Sequence, residues 1–273
     1  MTDTNDDKGL SDEQAEEVAE RVALSSPQIF EVVRQEGIEE LRRPTPSLFW
    51  SGTAAGIALS FSVYCTAFLH SAIPMTAYSR LFESAGYTVG FIIVILGRLQ
   101  LFTENTITVV LPILTDFNRS NVGRGARLWG IVWVANMIGA FLSAWVVETG
   151  GVLPQVQVQA ALAVSRHLLE YSASESLLYG IPAGFLVASI VWLAPNGKAS
   201  EFWIVFWITY MIALGGLTHV VAGATEWFLL VLAGELSWAK AILAGILPAL
   251  LGNIIGGTGL FALITYGQVK REL

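Results

Sequence analysis

Two short stretches hold residues whose types and spacing could do chemistry inside an otherwise apolar chain. Gly215 to Glu226 reads GGLTHVVAGATE and sets His219 among hydroxyls and glycines in the middle of a membrane-length apolar segment. Histidine near a bilayer centre is costly unless it faces a cavity or a partner, and Gly215, Gly216 and Gly223 are poor helix formers. The combination predicts a broken transmembrane helix whose gap holds His219 in a solute pathway. There an imidazole can donate a proton or a hydrogen bond near neutral pH. The second stretch, Arg98 to Glu104 (RLQLFTE), interrupts another apolar run and carries Thr103. Thr103 suits either holding the imidazole or capping the half-helix that follows. Arg98 and Glu104 suit a structural ion pair across the same break. Glu226, about two turns beyond His219, either pairs with a charge or lines the inner mouth.

The elements that hold these stretches follow from composition. The chain has 273 residues, 54% hydrophobic and 14% charged, with a mean hydropathy of +0.60. That lies outside soluble composition and describes a polytopic membrane protein. The net charge is -7, but residues 1–43 carry 12 acidic and 5 basic residues while the rest carry 10 of each, so the acidity belongs to the tail. No cleaved signal peptide is expected at the start, which leaves insertion to the first apolar helix. The single cysteine, Cys65, excludes a disulfide framework and a cysteine metal cage.

A helix needs about 20 residues to cross the hydrocarbon. Runs without Asp, Glu, Lys or Arg cover 44–79, 128–147, 176–197, 202–225 and 241–269. A sixth span is expected from 84–97 and 105–115, each too short alone and joined through Arg98 to Glu104. Trp50, Trp129, Trp145, Trp192, Trp203 and Trp238 fall near the ends of these runs, as an aromatic belt requires. Nine Lys and Arg fall on one side of the implied topology and three (Arg80, Arg166 and Lys240) on the other, which places both termini in the cytoplasm. Ahead of the first span, residues 13–41 predict two short surface helices interrupted at Pro27, with apolar positions Val18, Val22, Ile29, Val33, Ile38 and Leu41. Between Gly150 and Ser176, Val156, Ala160, Val164, Leu168 and Tyr171 recur at helical spacing and predict an amphipathic helix on the outer surface.

The halves resemble each other. SGTAAGIALSFSVY from Ser51 matches YGIPAGFLVASIVW from Tyr179, ANMIGAF from Ala135 matches GNIIGGT from Gly252, and LFTENTI falls opposite the LTHVVAG region. The expected fold class is an all-α membrane protein whose six transmembrane helices form an inverted 3+3 repeat, with the second and fifth helices broken. The tail spans 1–43 and the six-span domain 44–273, with repeats of about 44–148 and 176–269. The glycines of each G-x-x-A-G motif are expected to mark close helix contact.

With LFTEN at Leu101, LTHVVAG at Leu217 and GNIIGG at Gly252 in this order, the chain resembles the formate/nitrite transporter family over nearly its whole length. The resemblance implies an aquaporin-like protomer, a homopentamer with one pathway per protomer, and permeation of small monovalent anions. It places Leu101, Phe102 and Val187 at a cytoplasmic constriction, Phe91, Tyr87 and Ile212 at an outer one, and Thr103 beside His219. Thr218 stands where the family commonly has glutamate, and Gly223 and Gly184 where it has asparagine. The family's outer basic residue has no clean equivalent, although Arg166 and His167 lie close by. These departures suit a divergent inner-membrane branch of bacterial origin.

Two devices could replace an anion's lost hydration: half-helix N-termini near Thr106 and Val221, and the central histidine. The expected function is therefore a channel or proton-coupled transporter for small monovalent anions such as formate or nitrite. The alternative is an aquaporin-like pore for neutral solutes, although neither break contains Asn-Pro-Ala. An enzyme is not expected, because His70, His167 and His219 form no H-E-x-x-H or comparable ligand pair. The partners implied are a small anion, the lipid bilayer and copies of the same chain, with no nucleic acid, cofactor or metal.

Overall fold

The computed structural model describes residues 23–273, so the first tail helix, with Val18 and Val22, lies outside it. Five helices are long and apolar enough to cross a membrane: α2 (Thr45–Ala72), α3 (Ser79–Leu96), α5 (Arg119–Thr149), α7 (Ala173–Leu193) and α10 (Trp238–Val269). Three shorter apolar helices accompany them: α4 (Asn105–Thr115), α8 (Glu201–Leu214) and α9 (Val220–Leu232). Among the described residues all regular structure is helical. The chain is a multi-pass membrane protein by this arrangement. Residues 97–104 separate α3 from α4 and residues 215–219 separate α8 from α9, so both polar stretches lie in breaks between apolar helices.

Small residues let the long helices touch. A Cβ at Gly56 on α2 would fall 2.2 Å from the Asn136 carbonyl oxygen on α5, and one at Gly184 on α7 would fall 2.2 Å from the Asn253 carbonyl oxygen on α10. Backbones this close admit no side chain, which is the packing role expected of the G-x-x-A-G motifs. In α10 the α-helical turns give way to wider π turns over Ala241–Ile246 and Ile255–Ala262. The second of these brings the Thr258 hydroxyl to within 2.5 Å of the Thr106 carbonyl that accepts from it.

Three local expectations gain detail from the packing. Pro27 opens the second of the two expected tail helices: α1 (Ser26–Arg42) starts there behind a capping box of Ser25 and Gln28, where a missing N–H costs nothing. Its buried residues Ile29, Phe30 and Val33 share a core with Ile107, Leu111 and Phe261, so α1 seats on α4 and α10. The helix α6 (Gln155–Ser165), continued by a 3-10 turn over Arg166–Glu170, buries Ala160 and the following Leu168 of the expected stripe together with Val158, Ala161, Leu162 and Ser165, and leaves Val156 62% exposed. Apolar residues alternate with glutamine at its start, so two faces compete by pattern, and packing against α2 and α9 selects one. Trp129 and Trp192, two of the expected belt residues, are half-buried and make inward contacts. The first packs on Phe102 and donates to the Asn105 carbonyl, the second packs near Phe261, whereas Trp50, Trp145, Trp203 and Trp238 are exposed.

Candidate solute pathway

Each break is held open by one buried asparagine. Asn136 of α5 accepts from the Phe102 N–H at 2.9 Å and donates to the carbonyls of Gly52 and Gln100. Asn253 of α10 accepts from the Val220 N–H at 2.8 Å and donates to the carbonyls of Gly180 and Thr218. Broken helices orphan backbone groups that hydrocarbon cannot solvate, and a fully buried amide supplies one acceptor and two donors in a fixed plane. The sequence signal for this role was an asparagine in each repeat anchor; it marked the repeat but not the clamp.

His219 is the first residue of the second half-helix in the capping sense. Its Nδ1 accepts from the Ala222 N–H at 3.3 Å, so Nε2 is left to donate to the Thr103 hydroxyl, 2.8 Å away. The ring is 1% exposed and meets the Phe91 ring edge-on with centroids 4.9 Å apart. Thr103 thus holds the imidazole; the half-helix behind it is not capped by this side chain. The half-helices begin at Asn105 and Val220, one residue before each expected start.

Two cavities approach this bridge and share no lining residue. The first, of about 550 Å³, is lined by His219, Thr218, Gly223, Glu226 and Tyr87, so Glu226 shares the cavity of Tyr87, an expected outer-constriction residue, and does not line the inner mouth expected for it. The second, of about 450 Å³, is lined by Leu101, Gln100, Glu104 and Arg98. Phe91, Phe102, Val187 and Ile212 line neither and are buried. Phe102 turns onto Trp129. The Thr218 hydroxyl is used internally, donating to the Ser176 carbonyl at 2.6 Å. At Gly223 an added Cβ would meet nothing within 4 Å, unlike Gly184, so one of the two missing asparagines has room to be restored and the other does not.

The charges are placed differently from expectation. Arg98 adopts a left-handed φ of 52° and pairs with Glu36 of α1 at 3.4 Å rather than with Glu104. Gln100 from the same break donates to Glu40. Burial pushes the Glu40 carboxyl above its ordinary value, partly offset by Arg43. Arg166 is held by Glu235 at 2.7 Å and lines neither cavity. His167 does line the first, and burial pushes it below its ordinary value. The basic residue missed by sequence is Arg80, which lines this cavity and donates to the Ala213 carbonyl. It stands alone at the head of α3, where its only signal was its position in an outer loop.

The formate/nitrite transporter profile matches residues 27–267. The chain belongs to the formate/nitrite transporter family. Its relatives include the inner membrane protein YfdC of Escherichia coli K12, 37% identical over 93% of this chain and 82% of that one. The formate channel FocA of the same strain is 24% identical over 86% of this chain and 90% of that one. Among solved structures, an FNT family ion channel superposes with a TM-score of 0.74 at 18% identity, over 89% of this chain and 98% of that one. A pentameric formate channel with formate bound superposes at 0.67 and 20% identity, over 83% of this chain and 98% of that one. At these identities the structural neighbours speak for the fold. A member of the formate/nitrite transporter family is a membrane channel or transporter, not an enzyme.

Proposed function

We propose that this chain carries small monovalent anions such as formate or nitrite across the bacterial inner membrane, through a pathway that passes the Thr103–His219 bridge. The observation that carries the proposal is that bridge: a 2.8 Å hydrogen bond joins the two breaks at the floor of one cavity, with a second cavity approaching from the other break. A small anion or its acid meets there one hydroxyl and one imidazole in apolar surroundings, and Phe91, Ile212 and Val187 exclude water around them. Tyr87 and Thr218 border the outer approach and Leu101 the inner one, while Phe102 packs behind it on Trp129.

The protomer is a six-span inverted repeat of about 44–148 and 176–269, behind a cytoplasmic tail of residues 1–43, with both termini in the cytoplasm. The two asparagine clamps support this, because Asn136 and Asn253 each accept from the residue that opens the returning chain and donate to two carbonyls. Assembly is a homopentamer, as in the solved formate channel. Exposed apolar side chains such as Trp203, Trp207 and Leu243 suit lipid or neighbouring protomers.

Uptake of formate, nitrite, acetate and lactate into proteoliposomes tests the proposal. Saturable flux of at least one anion, abolished in His219→Ala, is expected. Osmotic swelling with water or glycerol and no anion flux would instead identify a neutral-solute pore.

A further inference from the structure

We infer that Glu226 and Glu104 are the proton-exchange groups of this pathway, one in each cavity, passing a proton to the weak-acid anion on one side of the Thr103–His219 bridge and recovering it on the other. The inference rests on the chain being a weak-acid pathway. Glu226 follows His219 by seven residues on α9, which places it about 10 Å along the helix on nearly the same face, and both line the outer cavity. Glu104 directly follows Thr103 and lines the inner cavity. Each partner of the bridge is therefore followed in its own chain by a carboxyl that opens onto its own cavity.

Among the described residues neither carboxyl is engaged elsewhere. The ion pairs among the described residues are Glu31–Arg34, Glu40–Arg43, Glu83–His70, Glu36–Arg98 and Glu235–Arg166, and no described hydrogen bond reaches the side chain of Glu104 or Glu226. Carboxyls at membrane depth that face a cavity are the groups of which proton relays are made. His219 is not free to take this role in the observed arrangement, because its Nδ1 lone pair caps α9 and its Nε2 donates to Thr103.

The cavities themselves disfavour a bare anion. Among the described lining residues, Glu36, Glu39 and Glu40 of α1 and Glu201 of α8 face Glu104, with Arg98 as the cation among them. Facing Glu226 are Arg80, Glu83 and Tyr87 of α3 and His70 of α2. From the same side come His167, Glu170 and Tyr171, with burial pushing His167 below its ordinary value. Mouths with excess carboxylate repel anions and concentrate protons, which favours the neutral acid at both ends. Ser176 also lines the outer cavity, and its hydroxyl is buried without a hydrogen-bond partner among the described residues.

The step balances. An anion in the outer cavity takes the Glu226 carboxyl proton, the neutral acid passes the bridge, and it returns the proton to the Glu104 carboxylate and leaves as the anion. Each glutamate then re-equilibrates with water on its own side, so one anion and one proton have crossed and no charge has moved. The reverse order carries efflux.

Proteoliposomes loaded with a pH dye and a potential dye test this with formate, against protein-free vesicles as the background for formic acid leak. For the native chain, formate influx is expected to acidify the lumen one proton per formate, to generate no potential, and to quicken as external pH falls from 8 to 6. Glu104→Gln and Glu226→Gln, checked for native assembly by size-exclusion elution, are expected to slow influx about tenfold or more and to flatten this pH profile. Formate influx that builds a potential without acidification, with both glutamine variants at the native rate, overturns the inference and leaves the weak-acid pathway standing. Absence of formate flux with potassium or glycerol flux in its place overturns both.

Discussion

The two breaks are built on one plan and fastened in different ways. In each, a buried asparagine from the last long helix of its half accepts one N–H and donates to two carbonyls. Beyond that common clamp they diverge. The break at 97–104 carries Arg98, Gln100 and Glu104, and two of these reach across to α1 through Glu36 and Glu40. The break at 215–219 contains no Asp, Glu, Lys or Arg and is tied instead to the outer segment, where the Tyr171 hydroxyl donates to the Gly216 carbonyl. The comparison teaches that backbone satisfaction fixes where a transmembrane helix can be interrupted, while the side chains within the gap decide what the gap communicates with.

The largest effect that would break the comparison concerns the clamps. Asn136→Ala and Asn253→Ala each leave one N–H and two carbonyls unpartnered in an apolar interior, and each is expected to cost about 3–5 kcal/mol. Denaturation midpoints in detergent should fall by similar amounts for the two; a loss confined to one would dissolve the equivalence.

Next in size is the contrast between the two glycines where the family commonly has asparagine. Gly184→Ala forces a Cβ against the Asn253 backbone and should cost about 1–3 kcal/mol, the usual penalty of overpacking. Gly223→Ala meets nothing and should gain up to about 1 kcal/mol from helix propensity. Thermal melts of the two variants read the sign directly.

The smallest expected effect sharpens the difference in fastening. Arg98→Gly loses an ion pair whose arginine side chain is 78% exposed, a pair of the kind that contributes about 0–1 kcal/mol. It also relieves a left-handed φ of 52° that glycine adopts freely. Its melting temperature should therefore stay close to the native value. A steep loss would show that the latch to α1 holds the break together.

Much of this organisation was legible in the sequence because hydrocarbon imposes strong rules. Uncharged runs located the long helices, and glycines around His219 and charges around Thr103 located both breaks. Pairing Thr103 with His219 also follows from the repeat, since it sets the two stretches opposite each other. Less legible were features decided by tertiary contact. The partner of Arg98 lies in α1, distant in sequence, so proximity within the break pointed wrongly to Glu104. The buried face of α6 depended on which of two apolar stripes met α2 and α9. The π turns of α10 leave no compositional trace, and neither does the contact between Trp129 and Phe102. The basic group of the outer cavity, Arg80, was visible only as one charge among three.

The central claim is that Thr103 and His219 act as a single unit at the narrowest part of the solute's path, and a double-mutant cycle on flux tests it most directly. Formate uptake into proteoliposomes is compared for the native chain, Thr103→Val, His219→Gln and the double variant, each with native size-exclusion elution. Each single variant is predicted to lower the rate about tenfold or more, and the double variant no further than the slower single, because the second substitution removes a partner already lost. Rates unchanged in either single variant, or losses that multiply in the double, would contradict the account.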